Sequence, residues 1–588
     1  MKSVNKILTI FASACFTLSS CDIDPVLTSS YPDDITWSNE TNLQLYINGF
    51  YSLIGGYYSI TDDACADLLK ANNPVANTNL FVFGSTPITS ASNLFDNWNN
   101  RHSWQLTCCR ALEGLEKHRE NFTEEVAKRA EAEFRFFRAV ANFDLAKRYG
   151  ASFILYKQLP ELGQKDHARC TPDECWDFIA EDLDFAAKNL PLRGTVEAGK
   201  LTSGAAYGMK ARAMLYAERW KDASDAAAEL KKQGYELYED YGKLFLNRRA
   251  KPVANNESVI EFGYVYETLD YSFDYFNCPP SDGGYAEISP TETLVSAYQM
   301  ADGKEFDWNN PEMAANPYEG REPRFYATIG YDGAVWGRER PTDSKAYDPT
   351  PLGNLQMGYY EVSDGGKVEI ELPNKQTVTF NGLYGVDTRK SSIEDWNGSF
   401  TGYVEKKLID GTVAASEQIF QVTPYPYIRL AEMYLIAAEA CIELNRLDEA
   451  ATYLDALRGR IGRPDTKNTL AIRGKSFIQN ELREFLQQER RSELAYEESR
   501  YYDVRRWMIA DKTANKPLTG IMVVGRLKPG QTANLPYVRD EAKWDYSYYV
   551  TDLSYRESRK WDNKMYFAPI SRDEIKRNTA MVQNPGME

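Results

Sequence analysis

Residues 429–458 read RLAEMYLIAAEACIELNRLDEAATYLDALR. Leu430, Tyr434, Ala438 and Cys441 recur at spacings of four, four and three, which places them on one face of a helix expected over 429–444. A second helix is expected over 447–458, so the stretch reads as a helical hairpin. Working outward, residues 201–220 and 221–233 give a second hairpin. The two can be laid on each other. Ala211 and Ala223 are twelve apart, as are Ala438 and Ala450, and the positions four and seven beyond hold Ala227 and Leu230 in one and Leu454 and Leu457 in the other. Small residues at that separation let antiparallel helices approach closely.

The shared spacing resembles a degenerate tetratricopeptide unit. A third long helix is expected over 124–148, with Phe134, Phe137, Ala141 and Leu145 on one face and Gly150 placed to stop it. Helical periodicity dominates two zones, about 93–233 and 424–510. Between the zones, residues 255–423 are rich in Gly, Pro, Asp and aromatics. Short alternating runs such as Val259-Ile260-Glu261-Phe262 and residues 367–372 (KVEIEL) predict scattered strands or hairpins there rather than one large sheet. The aromatic content argues against disorder in this insert. The charged run 489–506, ERRSELAYEESRYYDVRR, is expected to be a solvated face, with acid and base three and four apart.

The amino terminus reads as an address. Lys2 and Lys6 precede an apolar run, Ile7 to Leu18, too short to span a bilayer, which ends in Leu18-Ser19-Ser20-Cys21. That ending looks like a bacterial lipobox, with residues 1–20 a signal peptide, Cys21 the lipidated residue, 22–31 a tether and 32–588 the folded region. An ordinary signal peptide with a chance cysteine, or a buried helix, is the alternative reading. Several acyl chains on one cysteine hold a large domain durably on its membrane. Asp22 and Asp24 fit surface display loosely, and a periplasm-facing anchor stays open.

Composition excludes several functions. A net charge of −17 argues against nucleic acid, whose backbone needs a concentrated Lys/Arg footprint. Three histidines and no paired CxxC spacing make a zinc site improbable, and no metal or cofactor is expected. Beyond Cys15 and Cys21 there are seven cysteines, so one at least is unpaired; Cys170 and Cys175 either close a small disulfide or flank a helix start capped by Thr171 with Pro172 in its first turn. No Gly-x-Ser-x-Gly, His-Glu-x-x-His, phosphate-cradling or dinucleotide-binding glycine motif is present. The 85 carboxylates make chance pairs unavoidable, so none is diagnostic of a glycosidase.

Several blocks in order resemble the SusD-like (RagB/SusD) family of surface glycan-binding lipoproteins: residues 426–434 (PYIRLAEMY), Ala437-Ala438-Glu439-Ala440, Glu489-Arg490-Arg491 through Glu493-Leu494-Ala495 to residues 502–507 (YDVRRW), and the ending Pro569-Ile570, Glu574-Ile575, Asn578 and Gln583-Asn584-Pro585-Gly586. Upstream, Phe137-Arg138-Ala139 to Tyr149-Gly150, residues 201–206 (LTSGAA), Asn256 to Ile260 and Arg321 to Phe325 are similar to family landmarks too. The resemblance implies an all-α fold, a tetratricopeptide-like helical scaffold with a loop-rich ligand face and a few short strands. It also implies docking as a lid on a SusC-like TonB-dependent transporter in the outer membrane. The ligand would be an oligosaccharide, or in some relatives a peptide, and no catalysis is implied. A surface glycoside hydrolase and a purely structural lipoprotein are the competing classes.

Sugars present C–H faces to aromatic rings and hydroxyls to amides and carboxylates. Loops that interleave rings with Asn, Asp and Gly are therefore the candidates. These are residues 95–104 (FDNWNNRHSW), 271–285 (YSFDYFNCPPSDGGY), 331–336 (YDGAVW) and 395–403 (DWNGSFTGY), and within them Trp98, Tyr271, Tyr275, Tyr285, Trp336 and Trp396 are the ligand-binding candidates.

Overall fold

A computed structural model of the chain describes residues 33–54, 61–72, 82, 84, 97–246, 255–263, 268, 272–337, 353–390, 397–411 and 422–587. The signal segment, Cys21, the tether, Tyr271 and Trp396 lie outside the described residues.

The helix expected over 124–148 runs Glu124–Tyr149. The Thr123 hydroxyl accepts from the Val126 N–H at 3.3 Å, Glu124 and Glu125 occupy the first turn, and Lys147 and Arg148 the last. Each arrangement suits the helix dipole. Gly150 ends it at φ +86°, a left-handed-side value that a side chain would resist. Phe134, Phe136, Phe137 and Ala141 are all fully buried, so from Ala132 to Ala146 this helix is covered nearly all round rather than along one stripe, while its first turns stay partly exposed. Helix Pro172–Asn189 starts on a capping box between Thr171 and Glu174. Cys170 and Cys175 at its start are thiols, not a disulfide.

The two hairpins form as Ser203–Tyr216 with Trp220–Lys232, and Leu430–Glu443 with Leu447–Arg460. Ala211, Ala223, Ala438 and Ala450 are each 0% exposed, which is the close approach their spacing requires. Helix Trp220–Lys232 packs directly on helix Leu430–Glu443. The row of helices is thus continuous in space although residues 233–429 intervene in the chain. A guanidinium spans the junction: Arg212 donates to both oxygens of Glu432, at 2.8 and 2.6 Å, and to the Tyr427 carbonyl at 2.5 Å.

The intervening region leaves and returns at one place. Strand Ser258–Phe262 pairs antiparallel with strand Tyr425–Arg429, from Ser258 opposite Arg429 to Phe262 opposite Tyr425, and the chain then enters helix Leu430–Glu443 directly. Helix Ser203–Tyr216 crosses this ribbon at Gly208, where a methyl would sit 3.1 Å from Ile428. Further out, the expected run at 367–372 lies in strand Tyr359–Glu371, but in a larger sheet than its alternation suggested. Four strands lie in the order Trp544–Asp552, Thr519–Leu527, Tyr359–Glu371, Thr377–Tyr384. The contact that joins its halves is parallel, Tyr359 opposite Val524 and Tyr360 opposite Gly525. Local periodicity carries no trace of a pairing between segments so far apart.

The largest correction concerns the charged run 489–506, which is core and not a solvated face. Glu489, Arg490, Glu493, Arg500 and Asp503 are all at most 5% exposed. Glu493 receives Arg429 at 2.7 Å, Arg460 at 2.5 Å and Arg324 at 3.2 Å. Arg429 also reaches Glu257 at 2.7 Å and Glu497 at 2.6 Å, and Arg324 reaches Glu322 and Glu489 at 2.8 and 2.9 Å. The partners come from the insert (Glu257, Glu322, Arg324), its last strand (Arg429) and the second hairpin (Arg458, Arg460), which is why the run alone looks like a surface. Burial pushes the Glu493 carboxyl up, but Arg460, Arg429 and Arg324 together hold it well below its ordinary value of 4.5. The folded chain therefore gives up that proton more readily than the unfolded one. This contribution to stability is complete above about pH 4.5 and is lost as pH falls through the folded value.

Removing one member of a buried charge cluster strands the others, at about 3–5 kcal/mol. Glu493→Ala is expected to lower unfolding free energy by about that amount in urea melts at pH 7. The gap to the parent chain should narrow as the pH is taken below 4; a gap that is small at pH 7, or constant with pH, would contradict the assigned role.

Candidate functional site

The insert builds one face from rings. A short helix, Phe273–Asn277, carries Tyr275 and Phe276, and a tight return brings Tyr285 over them. Tyr275 and Tyr285 have ring centroids 5.3 Å apart at 72° and share a hydroxyl hydrogen bond of 3.2 Å. Phe276 lies 5.8 Å from Tyr285, tilted 41°, and is 42% exposed. The return depends on two glycines. Gly283 sits at φ +81°, and a Cβ on Gly284 would lie 2.3 Å from the carbonyl oxygen and sulfur of Cys278. Asn277 Oδ1 accepts from the Ile288 N–H at 3.1 Å, and Phe276 O accepts from the Glu287 N–H at 3.0 Å, which ties the short helix to strand Ile288–Pro290. Burial alone raises the Glu287 carboxyl above its ordinary value.

Beside this platform stands a second ring, Phe400, among cations. The Arg389 guanidinium lies 4.0 Å from its centroid, Arg556 4.8 Å and the Lys70 ammonium 5.6 Å. Two short links tie Phe400 to the platform. Asn72 accepts from the Phe400 N–H at 3.1 Å and donates to the Ala286 carbonyl at 2.6 Å; the Gly398 N–H donates to the Tyr285 carbonyl at 3.4 Å while Arg389 donates to the Gly398 carbonyl at 3.3 Å. Lys70 pairs with Glu557 at 2.8 Å, and Arg559 reaches the other oxygen of that carboxylate at 2.6 Å. Burial first, then repulsion from Arg559 and Arg389 against the pull of Glu557, holds Lys70 below its ordinary value.

The sequence candidates are placed unevenly. Tyr275 and Tyr285 come together as half-buried partners in the platform. Trp98 is 1% exposed, packed on Tyr149 at 5.0 Å and His102 at 4.3 Å in the helical core, and so does not face a ligand. Trp336 is 6% exposed, and its Nε1–H donates to Asp282 at 2.9 Å. It supports the 280–284 return from beneath. Neighbouring glycines suggested exposure for Trp336, but Gly333 and Gly337, at φ +84° and +72°, serve the turns that let a large ring go under. Tyr271 and Trp396 fall outside the described residues. Phe276 and Phe400 were missed although both lie inside the nominated loops, because tyrosine was favoured over phenylalanine in the first and tryptophan in the second. Arg389 and Arg556 lie far apart in sequence, and nothing local marks them as neighbours.

A separate cleft of about 640 Å³ is lined by Trp176, Trp220 and Trp507 at the end of the helical row. Its polar groups are largely engaged internally: Trp507 donates to Glu439 at 2.7 Å and Arg483 bonds Glu443 at 2.7 Å. Among the described residues no group of three or more His, Cys, Asp or Glu is arranged to hold a metal, and no helix is long and apolar enough to cross a membrane.

These features define a class: a helical-repeat scaffold that presents an aromatic face built by an inserted, loop-rich region. A family model described as the SusD family matches residues 252–587, more than half of the chain, and one described as "Starch-binding associating with outer membrane" matches residues 26–215. The chain belongs to the SusD family. A solved SusD-like protein from Bacteroides fragilis is similar at 27% identity, with a TM-score of 0.69 over 95% of this chain and 98% of that one. A SusD-like carbohydrate-binding protein from the same organism shares the fold at 21% identity, with a TM-score of 0.70 over 93% and 99%. SusD-like protein P2 of Formosa agariphila is 38% identical over 93 residues, which span 15% of this chain and 18% of that relative.

Truncating an exposed ring and truncating its support should separate cleanly. Phe276→Ala is expected to leave the melting temperature in place and to weaken glycan binding about tenfold, the effect of losing an anchor ring. Trp336→Ala should instead destabilise the fold by about 3–5 kcal/mol. Calorimetric melts and titrations of both variants check this, and the reverse pattern would reject the assignment.

Proposed function

We propose that the protein is a non-catalytic surface lipoprotein, held by lipid on Cys21 and a tether over 22–31, that captures oligosaccharides for a SusC-like TonB-dependent transporter of the outer membrane. The observation that carries the reading is the Tyr275–Phe276–Tyr285 platform, a set of rings from one loop that leaves Phe276 open on a rigid helical base. Such rings stack on the C–H faces of sugars, and tyrosine hydroxyls and neighbouring amides meet sugar hydroxyls. Tyr271 and Trp396 are carried as further ligand candidates on the sequence argument. The carbohydrate binding named for the Bacteroides fragilis relative supports the same ligand class here. So does the description of the model matching residues 26–215, which also names association with the outer membrane.

A platform this shallow binds one chain weakly. Closure onto a transporter supplies a second set of contacts and a high effective concentration, so weak capture suffices. The test is affinity electrophoresis of the full chain in detergent through gels containing a panel of polysaccharides, with reducing-end assays on the same polymers. Retardation by a polymer without release of sugar is expected, as is co-purification of a large outer-membrane barrel. Sugar release would make the protein a hydrolase; free migration in every gel, with a barrel still bound, would favour peptide capture or scaffolding.

A further inference from the structure

Two arginines of the buried charged run use only part of their donor set. Arg490 donates through Nε and Nη2 to Asp503 at 2.8 and 3.0 Å, and Arg500 donates through the same pair of groups to Asp67 at 2.8 and 2.9 Å. Each fork leaves its Nη1 over. Both side chains are more than nine-tenths buried, Arg490 at 4% and Arg500 at 5% exposure, and neither Nη1 meets an acceptor among the described residues. A third donor of the same kind comes from the next position on the helix, where Nε of Arg491 is also buried without an acceptor among the described residues. Buried donors of a charged group are the costliest to leave unmet.

The three residues share one small internal void of about 10 Å³. It lies where the end of helix Gln479–Glu493 meets the start of helix Arg500–Arg506, with Leu68, Leu69 and Leu294 as its apolar wall. About 10–15 Å³ is room for a single water-sized guest. Charge and donor count decide which guest. Asp503 and Asp67 already answer Arg490 and Arg500, whereas no carboxylate among the described residues bonds Arg491. Burial and then repulsion from Arg500 push Arg491 down to about 10, as befits a cation short of a counter-charge. Asp63, which lines the void with Asp503, does not supply the missing charge in full: burial pushes its carboxyl up to about 7, and its Oδ1 already accepts from the Tyr501 N–H at 3.1 Å. A water offers two lone pairs and no charge to three cationic donors, while a monatomic anion accepts from every side.

We infer that this void is a halide site, in which one chloride is held by Nη1 of Arg490, Nε of Arg491 and Nη1 of Arg500 against the leucine wall. Its size excludes carboxylates and oxyanions. The ion joins three stretches far apart in sequence, since Leu68 and Leu69 lead into strand Leu69–Ala71, Leu294 lies in helix Glu292–Ala297, and the arginines belong to the charged run. Strand Leu69–Ala71 pairs with strand Ile288–Pro290, to which the short helix of the aromatic platform is tied. Chloride thus acts as a structural ligand under the platform, whatever the platform itself binds.

The test has two parts. Crystals grown with sodium bromide in place of chloride, measured at the bromine absorption edge, are expected to show an anomalous peak among Arg490, Arg491 and Arg500. Melts of the full chain in detergent, at one ionic strength made up with sodium gluconate or sodium chloride, should show a saturable rise of about 2 °C once chloride exceeds its dissociation constant a hundredfold. Arg491→Met keeps much of the side chain's bulk, removes the unanswered charge and should abolish that rise. Density in the void without an anomalous signal, with bromide confined to the surface, makes the guest a water and overturns the inference. A melting temperature indifferent to chloride, or a rise that survives Arg491→Met, overturns it as well. The bromide measurement needs no variant and decides the matter even where Arg491→Met fails to fold.

Discussion

One carboxylate, Glu493, sits among three guanidinium groups that arrive from three different parts of the chain, and the relation of the helical row to its insert depends on it. Arg429 is the last residue of the insert, Arg324 lies in its middle, and Arg460 ends the second hairpin. Glu257, at the insert's first strand, binds both Arg429 and Arg460. Replacing such a cluster with apolar residues is often neutral or even stabilising, so its value is not simply free energy. It admits few alternatives. With Arg324, Arg429 and Arg458 all fully buried, any register in which one of them loses its carboxylates leaves a bare charge in the core. The network thus fixes where the insert sits on the row, and through it where the loops of the aromatic face are held.

From that fixed base the face is assembled by turns rather than by regular structure. Gly283 and Gly284 make the return possible, Trp336 fills the space under it, and Asp387 fastens it by accepting from the Ser281 and Gln356 N–H groups at 2.9 and 2.8 Å. Rings on such a return are held without being part of the core. A binding surface on loops over a rigid scaffold keeps its geometry while its composition is free to vary.

The helices were legible in the sequence because their information is local. Thr123, Thr171, Gly150 and the alanine spacing each act within a few residues. What was not legible is whatever pairs distant segments. The run from Glu489 to Arg506 has the same acid and base spacing on a wet face as in a core, and only Arg324, Arg429 and Arg458 decide between them. The parallel contact of Tyr359 with Val524 is likewise invisible to alternation along either strand. In the site, the nominated loops at 271–285 and 395–403 hold the observed rings Tyr275, Phe276, Tyr285 and Phe400. The choice of ring within a loop failed at Trp336, because the largest ring beside a turn is also the best plug for the space beneath it.

The short ribbon of Ser258–Phe262 against Tyr425–Arg429 has a wider consequence. Because the insert departs and rejoins across one pair of strands, the length of the loops between its interior anchors at Arg324 and Tyr359 is uncoupled from the helices on either side. The entropic penalty of a longer excursion grows only with the logarithm of its length, so added or exchanged loops weigh little once the ribbon has closed. The fold behaves as a socket with a cassette: the helical row, its buried charges and the insert segment that meets them at Glu322 and Arg324 are the part that must be kept, and the loops strung between these anchors can be exchanged.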